Sequence, residues 1–454
     1  MKKFLAIAAC TAIISCTCNF ASSEVITINL NAEANGISGK LTNTYPIPIQ
    51  PQKEYDWQYG VSSNTALLTQ GALNISNYSS DIINDTIIGT GGDLNLLSGT
   101  LTINSGSSIA NAVATTTAAG TNINITGGNV SFDSNDTLNG SVSISNGSLN
   151  VNSISIGGNL TQTGGTINIE NSSKSSASQL TVSGGNLNIN SSSYDLNNDG
   201  DRISNGTLNL GQGTGSTVLN ISKGEITTEA NVNIAKNSTI NVSGGDLTLD
   251  NNDNWNGTVN VSGGNLALIG INKNTNSKFT QTSGSTTILG DFDLNNSNDS
   301  ISGGNLNIGD SQNESYLTVS KGTINKNASV NLTSNGTLEI NGGNVSLDGA
   351  TDTWSGIIGI SQGTLNLSSM DKDTNAIFIQ NGGTTNVTGS GFSLNNELDE
   401  VSGGKLNVGT STETGSLNIN GGTITQDAVV NLSSGSTINI SKGNLNLDSD
   451  DTWG

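Results

Sequence analysis

The stretch Ser302-Gly303-Gly304-Asn305-Leu306-Asn307-Ile308 decides how this chain is read. It is a glycine turn followed by residues that alternate apolar and polar. Glycine tolerates φ > 0, and a period of two sends Leu306 and Ile308 to one face of a strand and the asparagines to the other. Near-copies stand at Ser183-Gly184-Gly185-Asn186-Leu187-Asn188-Ile189 and Ser402-Gly403-Gly404-Lys405-Leu406-Asn407-Val408. Shorter or altered copies are Ser262-Gly263-Gly264-Asn265-Leu266 and Ser441-Lys442-Gly443-Asn444-Leu445-Asn446-Leu447.

From Gly128 to Gly443 the second glycine of the motif, or its equivalent, recurs in steps of 18 to 21 residues. A stacked coil penalises changes of length in this way, because each turn must land in register on the one below. A longer period is nested inside. Trp255, Trp354 and Trp453 stand 99 residues apart. Asp195-Leu196-Asn197-Asn198 aligns with Asp293-Leu294-Asn295-Asn296 and Ser393-Leu394-Asn395-Asn396, each preceded by an aromatic: Tyr194, Phe292 or Phe392. Five short turns make one large unit, and duplication is its simplest origin.

Composition narrows the function. Aromatic residues are 4% and charged residues 11% of the 454, and Asn, Ser, Thr and Gly dominate. Such a composition suits disorder, but disordered chains lack strict spacing and regular Ile/Leu/Val alternation. The net charge is −21, with Arg202 as the single arginine and no histidine. Nucleic-acid binding needs a basic stripe, and there is none. The acidity serves solubility and discourages edge-to-edge association.

Residues 1–23 read as a secretory signal, with Lys2-Lys3 as the charged start and residues 4–14 as the apolar run. Two readings stay open. Ala21-Ser22-Ser23 offers a cleavage point before Glu24, while Ile13-Ile14-Ser15-Cys16 looks like a bacterial lipobox with Cys16 as the lipidated residue. All three cysteines, Cys10, Cys16 and Cys18, lie in this segment, so plain cleavage leaves a mature chain without disulfides or thiolate ligands. Residues 24–64 hold all three prolines, in Tyr45-Pro46-Ile47-Pro48-Ile49-Gln50-Pro51, and are expected to cap the first turn. Residues 65–454 are repeat. The chain stops at Asp451-Thr452-Trp453-Gly454, where the preceding unit runs on through another strand, so a C-terminal part is expected to be missing.

These patterns predict an all-β fold: a right-handed parallel β-helix of about 19 rungs with an N-terminal cap. One turn buries about five aliphatic side chains, worth roughly 10 kcal/mol, while ordering twenty residues costs roughly 20–40 kcal/mol of backbone entropy. A lone turn therefore fails and an array folds. Neither the leucine-rich-repeat pattern nor a period of six is present.

Three segments resemble the autotransporter-associated β-strand repeat. One runs from Gly342-Gly343-Asn344-Val345-Ser346-Leu347 through Asp352-Thr353-Trp354-Ser355-Gly356 to Gly363-Thr364-Leu365-Asn366-Leu367; the others are 244–268 and 127–151. The family pattern is similar: a glycine-led strand, an Asn-Thr-aromatic-x-Gly turn, and a strand ending Gly-x-Leu. Trp354 and Trp255 stand at the aromatic position, and Leu138 replaces it in the first copy. The resemblance implies a β-helical passenger of a Gram-negative surface protein, exported by a signal peptide and carried by an outer-membrane β-barrel translocator that this chain does not contain.

Without histidine or mature cysteine, Ser-His-Asp and Cys-His catalysis are excluded, as are the usual zinc sites. The acidic residues recur with the repeat, which assigns them to turns rather than to a catalytic groove. No catalytic residue and no cofactor is expected. Asp195, Asn197, Asp199 and Asp201, with Gly200 at the sixth position, resemble a calcium loop, but position 12 is Gly206 where an EF-hand needs a bidentate Glu. An Asp/Asn-rich turn is the favoured reading. The tryptophans, if exposed, would stack on sugars five turns apart; as large aromatics at turns they are read instead as core plugs. The expected function is a secreted, cell-surface adhesin or stalk with a host-surface or glycan ligand. The alternative is a polysaccharide-binding or polysaccharide-cleaving β-helix.

Overall fold

The computed structural model describes residues 115–454 throughout and, before them, only the backbone of Ala114 and of ten short strands between Val25 and Ile109. The signal segment 1–23, with its cysteines, and the proline run 45–51 lie outside the described residues. Among the described residues every regular element is a strand. Parallel strands stack into a β-solenoid of about 16 turns, and the chain divides into two compact units, Met1–Leu208 and Asn209–Gly454.

In the first unit, Ser38–Thr42 pairs antiparallel with Glu54–Tyr59, which pairs antiparallel with Thr65–Leu68. The strand pairings described beyond these are parallel. Val130, Leu149, Ile167 and Leu187 stand one above another on successive turns, and all four are buried. The alternate positions form an outward ladder, in which the Asn168 amide donates to Asn150 and that of Asn188 to Asn168, each at 2.7 Å. The glycine preceding these strands is obligatory. Gly185 has φ +85°, and a Cβ there would lie 2.5 Å from the Gly165 carbonyl oxygen directly beneath.

The second unit shows how the turns are built. Thr217–Ile221, Glu225–Ile226 and Ala230–Ile234 are three sides of one turn, and Ser238–Val242 then stacks on Thr217–Ile221. That ladder continues through Thr258, Lys278, Ser300, Thr323, Asn344, Thr364, Thr384, Lys405 and Val429 to the strand Thr452–Trp453. Inward residues such as Leu219, Ile240, Val259 and Phe279 are fully buried. Such columns supply the apolar burial that no single turn can supply.

The expected count of 19 rungs of 18–21 residues is therefore corrected. Gly304 and Gly322 are 18 residues apart in sequence, but they do not stack. The strand at Gly304–Ile308 stacks under Ala328–Leu332, 24 residues on, and Thr323–Ile324 stacks on Ser300–Ile301. Loops 309–314 and 409–414 lengthen their turns, so that Asp291 lies under Tyr316 and Gly389 under Gly415. Glycine spacing alone cannot distinguish a corner from a corner with an inserted loop. The 99-residue unit holds fourteen sides, not fifteen, which is four and two-thirds turns. The homologous strands Thr217–Ile221, Ser315–Val319 and Gly415–Ile419 accordingly lie in three different ladders. Each unit is displaced by one side relative to the last.

Candidate functional site

One corner of many turns carries an Asx-x-x-Asp sequence. At Asp250–Asp253 the Asp250 carboxylate accepts the Asn252 amide (2.8 Å), which tightens the turn. Asp253 then accepts two backbone amides, from Asp250 in its own turn (2.8 Å) and from Val232 in the turn below (2.6 Å). Asp352 does the same with Asp348 and Val330, and Asp451 with Asp448 and Val430. Asp136 holds Asp133 and Thr115 likewise. Each carboxylate is a staple between consecutive turns. Burial outweighs the amide hydrogen bonds and lifts Asp136, Asp253 and Asp352 from 3.8 to about 6.

Three other corners add a cation. Asp201 accepts the amides of Leu180 and Asn198, and its Oδ2 lies 2.9 Å from the Lys174 ammonium. Asp299 pairs with Lys273 and Asp399 with Lys372, again at 2.9 Å, and all six side chains are fully enclosed. An asparagine completes each cluster: the lysines donate to the Oδ1 of Asn197, Asn295 and Asn395 at 2.9, 2.6 and 2.7 Å. Burial lowers the Lys273 pKa against the opposing effect of Asp299.

Two members of the calcium-loop candidate, Asn197 and Asp201, are thus brought together around the Lys174 ammonium, where an added cation would meet like charge. Of the other two, Asp195 receives the Ser193 hydroxyl at 3.5 Å, and Asp199 is exposed in the same turn. Among the described residues no group of three or more acidic side chains converges on a common point. The lysines were missed in the sequence reading. Their signal was the 99-residue spacing of Lys174, Lys273 and Lys372 in a chain with only 15 basic residues.

Two of the three tryptophans in the 99-residue series plug the core, while Trp453 in the last strand is 57% exposed. Trp255 and Trp354 are each 2% exposed, and their indole N–H groups donate to the carbonyls of Gly257 and Gly356. Trp255 stacks on Phe292 and meets Phe279 edge-on, and Trp354 repeats this with Phe392 and Phe378. They are four and two-thirds turns apart, on different sides, so the five-turn sugar ladder does not exist. In the first unit Tyr194 takes the place of Phe292, and its hydroxyl is buried without a hydrogen-bond partner.

In the second unit an outward ladder is built of neutral amides. The Asn233 amide donates to Asn209 and that of Asn254 to Asn233, at 2.7 and 2.6 Å. Beside this ladder a groove of about 610 Å³ is lined also by Gln212, Asn256 and Asn276. Further along the same side, Asp291, Asp293 and the 46%-exposed Tyr316 border a second hollow of about 460 Å³. Among the described residues no helix is long and apolar enough to cross a membrane. Comparison of the chain with protein-family models, with curated proteins and with solved structures returns no match.

Proposed function

We propose that this chain is the exported, non-catalytic surface segment of a Gram-negative adhesin or stalk, an autotransporter-like passenger. A signal peptide at 1–23 and a cap at 24–64 lead into repeats from 65 onward, and an outer-membrane β-barrel translocator carries it. The observation that supports this reading is the division of labour among side chains. The corner aspartates are spent on stapling backbone amides between turns, while the outward ladders present Asn, Ser and Thr. Neutral amides and hydroxyls suit weak, repeated contacts with a host surface or its glycans. The full reading frame, expressed in a Gram-negative host, tests the proposal. Surface biotinylation and protease shaving of intact cells should reach the repeats, and cells should gain adherence to epithelial monolayers. Retention of the repeats in the cytoplasm would overturn it.

The groove beside Asn233 and Asn254 and the exposed Tyr316 favour a second reading, a polysaccharide-binding β-helix. Amides match sugar hydroxyls, and an exposed phenol ring stacks on a pyranose face. Calorimetric titration with amylose, xylan and polygalacturonate tests it; binding that Tyr316→Ala and Asn254→Ala abolish would favour it over a bare stalk.

A further inference from the structure

The three Lys–Asn–Asp clusters hold more chemistry than a staple requires. An aspartate with two amide donors already closes a corner without any lysine, as Asp253 and Asp352 do. At the three special corners a fully enclosed amine is held against a side-chain amide on the next turn. Lys273 Nζ is 2.6 Å from Asn295 Oδ1 and 2.9 Å from Asp299 Oδ2. The Asn295 amide nitrogen is itself held, donating to the Lys273 carbonyl at 3.1 Å. Asp299 also receives the amides of Phe279 and Asn296, which fixes its carboxylate beside the Asn295–Asn296 peptide. Trp255 bridges to Lys273 from the turn below. Burial lowers the basicity of Lys273, which favours the neutral, nucleophilic amine. The same partners recur at Lys174, Asn197 and Asp201, and at Lys372, Asn395 and Asp399.

We propose that each cluster is a self-modification site, at which the lysine Nζ condenses with the asparagine Cγ to form an amide cross-link between consecutive turns. The ammonium of Lys273 passes a proton to Asp299 Oδ2. Rotation about the soft χ2 of Asn295 turns the face of its amide to the amine. The Nζ lone pair attacks Cγ, a C–N bond forms, and the carbonyl π pair moves to Oδ1. The intermediate collapses: the Cγ–Nδ2 bond breaks as Asp299 returns its proton to the departing nitrogen, and the second Nζ proton passes through the same carboxylate to that nitrogen, so that ammonia leaves as ammonium. Amine and primary amide become secondary amide and ammonia; nothing is oxidised or reduced, and no co-reactant is needed. Enclosure and fixed geometry replace an external catalyst. Asp299 is left with two amide donors and no ammonium, the arrangement that Asp253 already shows.

The test is peptide mass spectrometry on the purified full chain, digested with trypsin after denaturation. A condensed Lys273 resists trypsin, so residues 237–278 should appear joined to 279–321. The joined mass should lie about 17 Da below the sum of the separate peptides, the mass of ammonia. Equivalent links are expected at Lys174–Asn197 and Lys372–Asn395. Lys273→Arg should remove the link at that site and leave the other two. Asp299→Asn, with the β-sheet circular dichroism retained, should slow linkage at Asn295 at least 100-fold; linkage at the unaltered rate would overturn the role of Asp299. Unlinked peptides at full mass at all three sites would overturn the proposal. So would a loss of about 18 Da, the mass of water, with the link on Asp299 instead. The mass of the unmodified chain decides the matter even if the variants do not fold.

Discussion

The corners closed by Asp253 and Asp299 are built alike. In both, an Asx residue tightens the turn and an aspartate three residues on takes one amide from its own turn and one from the turn below. They differ in what faces the carboxylate. Asp299 meets the enclosed Lys273 ammonium, and Asp253 meets no cation among the described ion pairs. The comparison separates two roles that coincide at Asp299. Closing a corner needs only the two amide bonds. The lysine is an addition made once in each 99-residue unit; Lys273 lies one turn above Trp255, and the residue after Lys372 donates its amide to the Trp354 carbonyl.

The largest effect that would break this comparison comes from removing the cation. Measured against chain in which Lys273 and Asn295 are not condensed, Lys273→Met leaves Asp299 enclosed and unpaired, and should lower unfolding stability by about 3–5 kcal/mol in urea titrations. A loss below about 1 kcal/mol would mean that Asp299 stands as well alone as Asp253 does. Next comes the corner itself. Asp253→Ala strands the Val232 and Asp250 amides and should cost about 2 kcal/mol, less than the lysine change because no charge is left uncompensated. A smaller effect of opposite sign is expected at Tyr194, whose buried hydroxyl has no partner where the later units carry Phe292 and Phe392. Tyr194→Phe should stabilise the chain by about 1 kcal/mol, read as a higher melting temperature.

The smallest effect sharpens the comparison through pH. Asp136, Asp253 and Asp352 have pKa values raised by burial from 3.8 to about 6. A raised acid binds its proton more tightly in the folded state, so its contribution is fully present below pH 3.8 and is lost as pH rises to about 6. Thermal melts should therefore show a lower melting temperature at pH 7 than at pH 5. Replacing the three residues with asparagine should flatten that slope; an unchanged slope would assign it to other groups.

Much of the architecture was legible in the residues. The alternation at 305–308 named Leu306 and Ile308 as inward, and both are fully buried. The 99-residue unit was also readable, as was the burial of Trp255 and Trp354, though Trp453 is exposed. The ladder register was not, because Gly304 and Gly322 have the ordinary spacing although the intervening side extends the turn with loop 309–314. Nor were the clusters legible. Lys273 and Asp299 lie 26 residues apart, and only stacking of turns brings them to 2.9 Å. The acidic run at 195–201 gave a visible oxygen pattern, while the cation that meets two of its members belongs to the turn beneath.

The fourteen-sided unit has a consequence for how such a chain lengthens. A newly copied unit always joins its predecessor with its sides renamed, so the three sides must be interchangeable in width and interior lining, or the seam would fail. Recombination can then insert or delete whole copies without remodelling a junction.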